Sequence, residues 1–132
     1  MDLVALADIM VANEREAQLL AADDDTTAAA TALSRIAGIV IITRGSQGAI
    51  AAQGGKIIGQ VEARRVTAVD TTGAGDTFVG VLVARLADGM ELLEAMRIAT
   101  VAASLTVTRL GAAEAMPSLQ EITEALSTGN RR

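Results

Sequence analysis

Short runs of apolar, mostly β-branched residues alternate along this chain with longer stretches of helical composition. Three of these runs predict strands, at residues 9–12, 39–43 and 66–69. The run at 39–43 is β-branched throughout, which is typical of a buried strand in a parallel sheet. Gly54 and Gly55 separate two further apolar runs, so residues 49–61 predict a β-hairpin with a tight turn.

Caps and glycines mark the helices between these strands, at residues 14–20, 26–36, 76–87 and 91–106. Asn13 is a natural N-cap, and acidic residues follow it in the first turn. Ser118 and Glu121 form a capping-box pattern, which predicts one more helix near the C-terminus. The alternation of strand and helix favours a parallel α/β sheet, and we expect residues 1–132 to form a single partial domain.

Composition excludes several classes of chemistry. The 132 residues include no cysteine and no histidine, so thiolate and imidazole metal sites and histidine-dependent nucleophiles are excluded. A net charge of −5 and a single aromatic residue argue against a nucleic-acid or anionic-membrane surface. Hydrophobic residues make up 51% of the chain, which is enough for a core. The N-terminus lacks a basic secretory pattern, so we expect a cytoplasmic protein.

The segment at 70–76 carries most of the functional information. Gly73, Ala74 and Gly75 precede Asp76 and a long apolar helix. Small residues let backbone N–H groups converge at a helix N-terminus, where anions bind. Asp76 would then lie within reach of a hydroxyl that approaches a bound phosphate, which is an arrangement for phosphoryl transfer.

An ordinary turn with a helix cap would also explain small residues at this position. A cap needs one acid, however, and here Asp70 and Asp76 lie on both sides of the glycines. The preceding predicted strand ends at the carboxyl edge of a sheet, where open α/β folds bind ligands. No P-loop pattern is present, and the third glycine of a dinucleotide fingerprint is missing.

Three weaker motifs each have a structural alternative. The glycine-punctuated segment 43–48 follows a strand and is either a ligand loop or a simple turn into the hairpin. Asn13 and Glu16 lie one turn apart and are either a functional pair or a helix cap. Arg109 and Gly111 have the pattern of an ordinary helix C-terminus.

In combination and in order, these motifs resemble the C-terminal half of the ribokinase, or PfkB-type, carbohydrate kinase family. The matching patterns are Asn13-x-x-Glu16, Thr43-Arg44-Gly45-x-x-Gly48, the segment 70–76, and Thr108-Arg109-x-Gly111-Ala112. The resemblance implies a three-layer αβα fold with a mostly parallel, Rossmann-like sheet, truncated on its N-terminal side. It also implies an ATP-dependent phosphotransferase that transfers the γ-phosphoryl group to a sugar hydroxyl.

By the same resemblance, Asp76 is the catalytic base, and Gly73, Ala74 and Gly75 form the anion hole. Nucleotide-binding residues are expected at Thr43, Arg44, Gly45, Ser46, Gln47, Gly48 and Thr100. Asn13 and Glu16 would organise Mg²⁺ through water. A monovalent-cation loop for K⁺ would comprise Asp70, Thr72, Thr106, Arg109, Gly111 and Ala115.

The chain departs from the family pattern at three of its positions. Ala115 stands where some members have serine, which weighs against dependence on K⁺. Thr100 replaces the asparagine or histidine that many members place beside adenine, and Val81 replaces a smaller residue after Gly80. The first two changes weaken the expected contacts, whereas Val81 affects only helix packing.

Family members are about twice as long as this chain, so the resemblance implies a fragment without the sugar-binding half. We expect the strand at 9–12 to have a bare edge and the chain to form a homo-oligomer or to associate with the missing half. Catalysis by the isolated chain should be very poor. The alternative is an inactive nucleotide-binding or assembly module. The acceptor is left open between a sugar and other alcohols such as fructose phosphate, adenosine or a ketodeoxy sugar acid.

Overall fold

The computed structural model describes residues 4–6, 9–63, 73–106 and Ile122. The chain divides into two compact units, Met1–Val61 and Glu62–Arg132, and each is described by itself. The prediction of one partial domain over residues 1–132 remains a prediction. No helix within the described ranges is long and apolar enough to cross a bilayer.

The first unit is built on a five-stranded sheet whose spatial order follows the order of the chain. Its strands are β1 (Val4–Leu6), β2 (Ile9–Asn13), β3 (Ile39–Thr43), β4 (Ala49–Gln53) and β5 (Lys56–Val61). Strands β2 and β3 are parallel, and the three other neighbouring pairs are antiparallel. The sheet is therefore mixed.

Two predictions about this sheet are wrong for the described strands. The sheet is not mostly parallel, because short connections join β1 to β2, β3 to β4 and β4 to β5, and such connections allow only antiparallel pairing. The edge of β2 is not bare either, because β1 pairs with it from Leu6↔Ile9 to Val4↔Val11. A three-residue strand gives too short a pattern to recognise in the sequence.

Two helices connect β2 to β3 and pack on one face of the sheet. They are α1 (Glu14–Ala21) and α2 (Thr26–Ala37), close to their predicted bounds. Asp25 caps α2, since its Oδ1 accepts a hydrogen bond from the Thr27 amide at 2.9 Å. Alanines and branched aliphatic residues fill the core between helices and sheet, namely Ala12, Ala17, Ala29, Ala30, Leu33, Val40, Ile42, Ile50 and Ala52.

The predicted β4–β5 hairpin is confirmed, and its turn is tied to α2. Gly54 and Gly55 have φ values of +58° and +85°, which a two-residue hairpin turn requires and which glycine adopts without strain. The buried Ser34 hydroxyl accepts a hydrogen bond from the Gly55 amide at 2.8 Å and donates one to the Thr31 carbonyl at 2.9 Å. Ser34 therefore joins the hairpin to the helix above it.

The second unit contains two helices, α3 (Ala74–Ala87) and α4 (Leu92–Thr106), which pack against each other. The helix predicted at 76–87 begins two residues earlier, at Ala74. Phe78, the single aromatic residue of the chain, is 3% exposed, and Leu82 and Met96 are fully buried. The predicted strand at 66–69 and the Ser118 cap lie outside the described residues, although Ile122 is helical and buried.

Candidate functional site

Asn13 and Thr43 are direct neighbours across the parallel pair β2–β3. Each is the last residue of its strand, so both lie at the carboxyl edge of the sheet. Ligands of open α/β sheets bind at this edge. The structure therefore brings together two predicted site residues that are thirty positions apart in sequence.

Asn13 and Glu16 form a reciprocal capping box at the start of α1. The Asn13 Oδ1 atom accepts a hydrogen bond from the Glu16 amide at 2.8 Å, and Glu16 Oε1 accepts one from the Asn13 amide at 3.0 Å. The cap interpretation is thus confirmed. It does not exclude a metal role, because carboxylate and amide oxygens have more than one lone pair.

The donor set at this position fits a water-coordinated magnesium ion. Mg²⁺ prefers oxygen ligands and keeps several waters, so one carboxylate with a neighbouring amide oxygen is enough beside substrate phosphates. Within the described part of the chain, no three or more His, Cys, Asp or Glu side chains cluster as a preformed metal cage. Nearby Glu14 is engaged elsewhere, since its Oε2 accepts the Thr26 hydroxyl at 2.5 Å.

The segment after Thr43 is a closed 3₁₀ turn over Gly45–Gln47. The Arg44 amide donates to the Gly48 carbonyl at 2.7 Å, and the Gln47 amide donates to the Arg44 carbonyl at 3.0 Å. Ser46 and Gln47 are exposed, whereas Gly48 is buried. The predicted loop is therefore an ordered turn that presents its tip to solvent.

The Arg44 side chain folds over this turn. Its Nη2 atom donates to the Gln47 carbonyl and to Gln60 Oε1 on β5, both at 3.2 Å. Its Nε atom is buried and has no hydrogen-bond partner among the described residues. The guanidinium group thus faces the loop backbone and the neighbouring strand.

In the second unit, Gly73 opens α3 in the left-handed conformation, with φ 81° and ψ 0°. A left-handed residue followed by right-handed helix turns successive N–H groups toward one concave point, which binds anions. The first described helical bond joins the Thr77 amide to the Gly73 carbonyl at 2.9 Å. The amides of Ala74, Gly75 and Asp76 precede it, as expected for the orphan donors of a helix N-terminus.

Asp76 lies in the first turn of α3, and its side chain is exposed. An exposed carboxylate beside a helix N-terminus is accessible to a hydroxyl substrate, as a general base must be. Thr77, the next residue, is 1% exposed and its hydroxyl lies 3.0 Å from that of Thr106 at the end of α4. The turn that carries Asp76 is therefore linked to the end of α4 by a buried contact between two threonine hydroxyls.

Thr100 lies on α4 and is 5% exposed. Its carbonyl accepts a hydrogen bond from Ser104 Oγ at 3.0 Å, but its own Oγ1 atom is buried without a partner among the described residues. Of the predicted monovalent-cation residues, only Thr106 is described. Asp70, Thr72, Arg109, Gly111 and Ala115 lie outside the described residues, so that cation loop remains a prediction.

Sequence reasoning missed the residues that hold the predicted site residues in place. Gln60 lies sixteen positions from Arg44 on a strand of alternating exposure, and a glutamine there has no distinguishing signal. The Thr77–Thr106 contact spans twenty-nine positions and depends on how α3 packs on α4. Neither contact follows from a local pattern.

The family model for pfkB family carbohydrate kinases matches residues 1–119. A ribokinase from Schizosaccharomyces pombe is 36% identical over 130 residues, which cover 92% of this chain and 41% of the relative. The chain thus spans about two fifths of the length of this relative.

Solved structures share the fold. A ribokinase from Thermotoga maritima superposes with a TM-score of 0.84 at 30% identity, over 91% of this chain and 42% of that one. An Escherichia coli protein provisionally assigned as ribokinase II, in complex with ATP and Mg²⁺, superposes with a TM-score of 0.81 at 32% identity. The match covers 92% of this chain and 39% of that one. The ribokinase-like αβα fold predicted from the sequence is therefore confirmed, with a mixed sheet.

Proposed function

Because the chain belongs to the pfkB family of carbohydrate kinases, we propose that it carries the phosphoryl-transfer chemistry of an ATP-dependent sugar kinase. The reaction would join a sugar hydroxyl oxygen to the γ-phosphorus of ATP, release ADP and transfer the hydroxyl proton to a base. The Escherichia coli relative with bound ATP and Mg²⁺ supports the nucleotide and the ion.

One observation carries this proposal: the first turn of α3 combines a left-handed glycine at the helix N-terminus with an exposed carboxylate. Gly73 adopts φ 81° immediately before the helix, and Asp76 is exposed three residues later. In the proposed role, the backbone amides of Gly73, Ala74 and Gly75 stabilise charge that develops on the transferred phosphoryl group. Asp76 accepts the proton of the attacking hydroxyl.

Residues of the first unit would supply nucleotide and magnesium contacts. The exposed tip of the 43–48 loop offers the Ser46 hydroxyl to a phosphate or ribose, since the Gln47 and Gly48 amides already donate hydrogen bonds within the turn. Asn13 and Glu16 would hold the waters of a Mg²⁺ ion, which neutralises phosphate charge when bound. Thr100, whose buried hydroxyl has no hydrogen-bond partner among the described residues, is our candidate for a contact with adenine.

The order of the motifs supports assigning this chain to the C-terminal part of a full-length kinase. The same resemblance supports a cytoplasmic location, where ATP is available, and leaves K⁺ as a candidate activator. Association with another copy or with further kinase segments also belongs to the proposal, since Leu19 is 74% exposed and Ile36 is 86% exposed. A monodisperse monomer in light scattering at micromolar concentration would contradict that association.

The test begins with calorimetric titration of the 132-residue chain with the ATP analogue AMP-PNP, with and without Mg²⁺. We expect saturable binding that strengthens when Mg²⁺ is present. Absence of binding would contradict the nucleotide role and favour an assembly module.

Transfer of labelled γ-phosphate to a panel of sugars and other alcohols then separates a kinase from a nucleotide binder. We expect very low turnover by the isolated chain, because orientation of both reactants supplies about 7–11 kcal/mol of a barrier. A chimera in which this chain replaces the matching segment of the Schizosaccharomyces pombe ribokinase should restore turnover. A folded chimera that binds nucleotide without transfer would support the alternative, an inactive nucleotide-binding module.

A further inference from the structure

The 43–48 loop is braced by a contact that lies outside it. Arg44 Nη2 donates one hydrogen bond to the carbonyl of Gln47, within the loop, and a second to Gln60 Oε1, each at 3.2 Å. Gln60 belongs to β5, where it is opposite Ile50 of β4. A single guanidinium nitrogen therefore links the end of the turn to a strand that contributes no residue to the loop.

Arg44 contacts the loop with its backbone as well as its side chain. Its amide donates to the Gly48 carbonyl at 2.7 Å, and its carbonyl accepts the Gln47 amide at 3.0 Å. The remainder of the turn contains two glycines and an exposed serine, which on their own restrict the backbone little. These backbone bonds close the turn together with the bond from the Gly48 amide to the Gly45 carbonyl at 3.1 Å, and the Arg44 side chain adds the bonds that tie the closed turn to Gln60.

The orientation of Arg44 argues against a direct contact with a bound nucleotide. Both protons of Nη2 are engaged by oxygens of the protein, and the Nε atom is buried. A guanidinium that grips phosphate presents paired N–H groups to the ligand in a fork. In Arg44, the Nη2 and Nε atoms already face the protein, so they cannot form such a pair toward a ligand.

We propose that Arg44 is a positioning residue that acts with Gln60 to hold the 43–48 loop in the shape that binds nucleotide. A loop held in its binding conformation before the ligand arrives loses less conformational entropy on binding. This inference rests on the proposed function and adds to it the residue pair that preorganises the nucleotide loop.

The test compares Arg44→Leu, Gln60→Leu and the double variant with the wild-type chain. Gln53→Leu is the matched control, because Gln53 is an exposed glutamine at the opposite end of the same hairpin. Solvent exchange of the Gln47 and Gly48 amides is measured by NMR without nucleotide, and the dissociation constant of Mg²⁺·AMP-PNP is measured by calorimetry.

We expect each single variant to raise both amide exchange rates and to weaken nucleotide binding by about three- to tenfold. The double variant should be no worse than either single variant, since both remove the same contact. Gln53→Leu should leave exchange and binding unchanged. In all variants, the midpoint of thermal unfolding should stay close to that of the wild type. This result would separate an effect on loop positioning from a general loss of stability.

Two results would overturn the inference while leaving the proposed function intact. Arg44→Leu could weaken binding while Gln60→Leu does not, which would make Arg44 a direct nucleotide ligand. Alternatively, the wild-type chain and all three variants could bind equally well. A wild-type chain that fails to bind Mg²⁺·AMP-PNP would instead contradict the proposed function, and with it the nucleotide role of this pair.

Discussion

The hydroxyl of Thr106, the last residue of α4, lies 3.0 Å from the hydroxyl of Thr77 in the first turn of α3. Thr106 Oγ1 also lies 3.1 Å from the Ala102 carbonyl, so its single proton goes to one of these two oxygens. Both threonines are buried, with exposures of 0% and 1%. Since Thr77 follows Asp76, this contact fixes the turn that carries the proposed base.

The Thr106→Val substitution should lower the free energy of unfolding by about 1–3 kcal/mol. It keeps the shape of the side chain but removes a buried hydroxyl that satisfies polar partners. Urea denaturation measures the change. Thr27→Val is the control, because Thr27 is exposed on α2 and should change stability by less than about 0.5 kcal/mol. Equal effects of the two variants would show that the buried contact contributes nothing specific.

Ser34→Ala should also destabilise the chain by about 1–3 kcal/mol, because the partly buried Gly55 amide would lose its acceptor. The substitution should increase local opening of the hairpin turn, so the Gly55 amide should exchange faster with solvent. The Ile41 amide in the central strand should keep its protection against exchange. Hydrogen exchange followed residue by residue measures this. An unchanged Gly55 amide would contradict the proposed link between α2 and the hairpin.

The Glu94–Arg97 ion pair on α4 gives a small pH dependence of stability. The hydrogen bond from Arg97 lowers the pKa of the Glu94 carboxyl below its ordinary value. A carboxyl whose folded-state pKa is depressed stabilises the fold above the unfolded-state pKa, and the contribution is lost as pH falls through the folded-state pKa. The side chains are 45% and 39% exposed, so solvent screens most of the effect.

Glu94→Gln should therefore cost no more than about 0.5 kcal/mol at neutral pH and nothing in strong acid, where the wild-type carboxyl is protonated. Urea titrations of both chains at the two pH values give the difference. Glu62→Gln is a control that removes an exposed carboxylate elsewhere in the chain, and it should not show the loss of the penalty in acid that is expected for Glu94→Gln. A penalty that persists in strong acid would rule out the ion pair as its cause.

Gly75→Pro tests the proposed anion hole, since proline lacks the amide proton but is tolerated in the first turn of a helix. Turnover by the ribokinase chimera should fall by about 10²–10³, the cost of removing one oxyanion-hole donor. Gly75→Ala keeps the amide and should retain more of the activity. Equal turnover by the two variants would show that the amide has no catalytic role, provided that circular dichroism shows α3 intact in both.

Much of the fold could be predicted from local patterns. The capping residue Asn13 predicted the start of α1, and the Gly54-Gly55 pair predicted the hairpin turn, because each acts on its own few residues. Whether neighbouring strands are parallel or antiparallel could not be predicted in the same way. It depends on which strands become neighbours, and the short strand β1 gave no recognisable pattern.

Parts of the candidate site could be predicted where the backbone conformation allows only small residues. The small residues before Asp76 predicted backbone amides that converge at a helix N-terminus, and in the structure α3 begins there, with Gly73 in the left-handed conformation. The partners that hold these residues were not predictable. Gln60 and Thr106 reach Arg44 and Thr77 only through strand pairing and helix packing, which a local pattern does not encode.

The most direct test of the account is phosphoryl transfer by the ribokinase chimera with and without the Asp76→Asn substitution. We expect the asparagine variant to lose about 10²–10⁴ in turnover, the range for a general base, while its dissociation constant for Mg²⁺·AMP-PNP stays within about twofold. Turnover that survives the substitution unchanged in a chimera that binds nucleotide normally would contradict the assignment of Asp76 as the base.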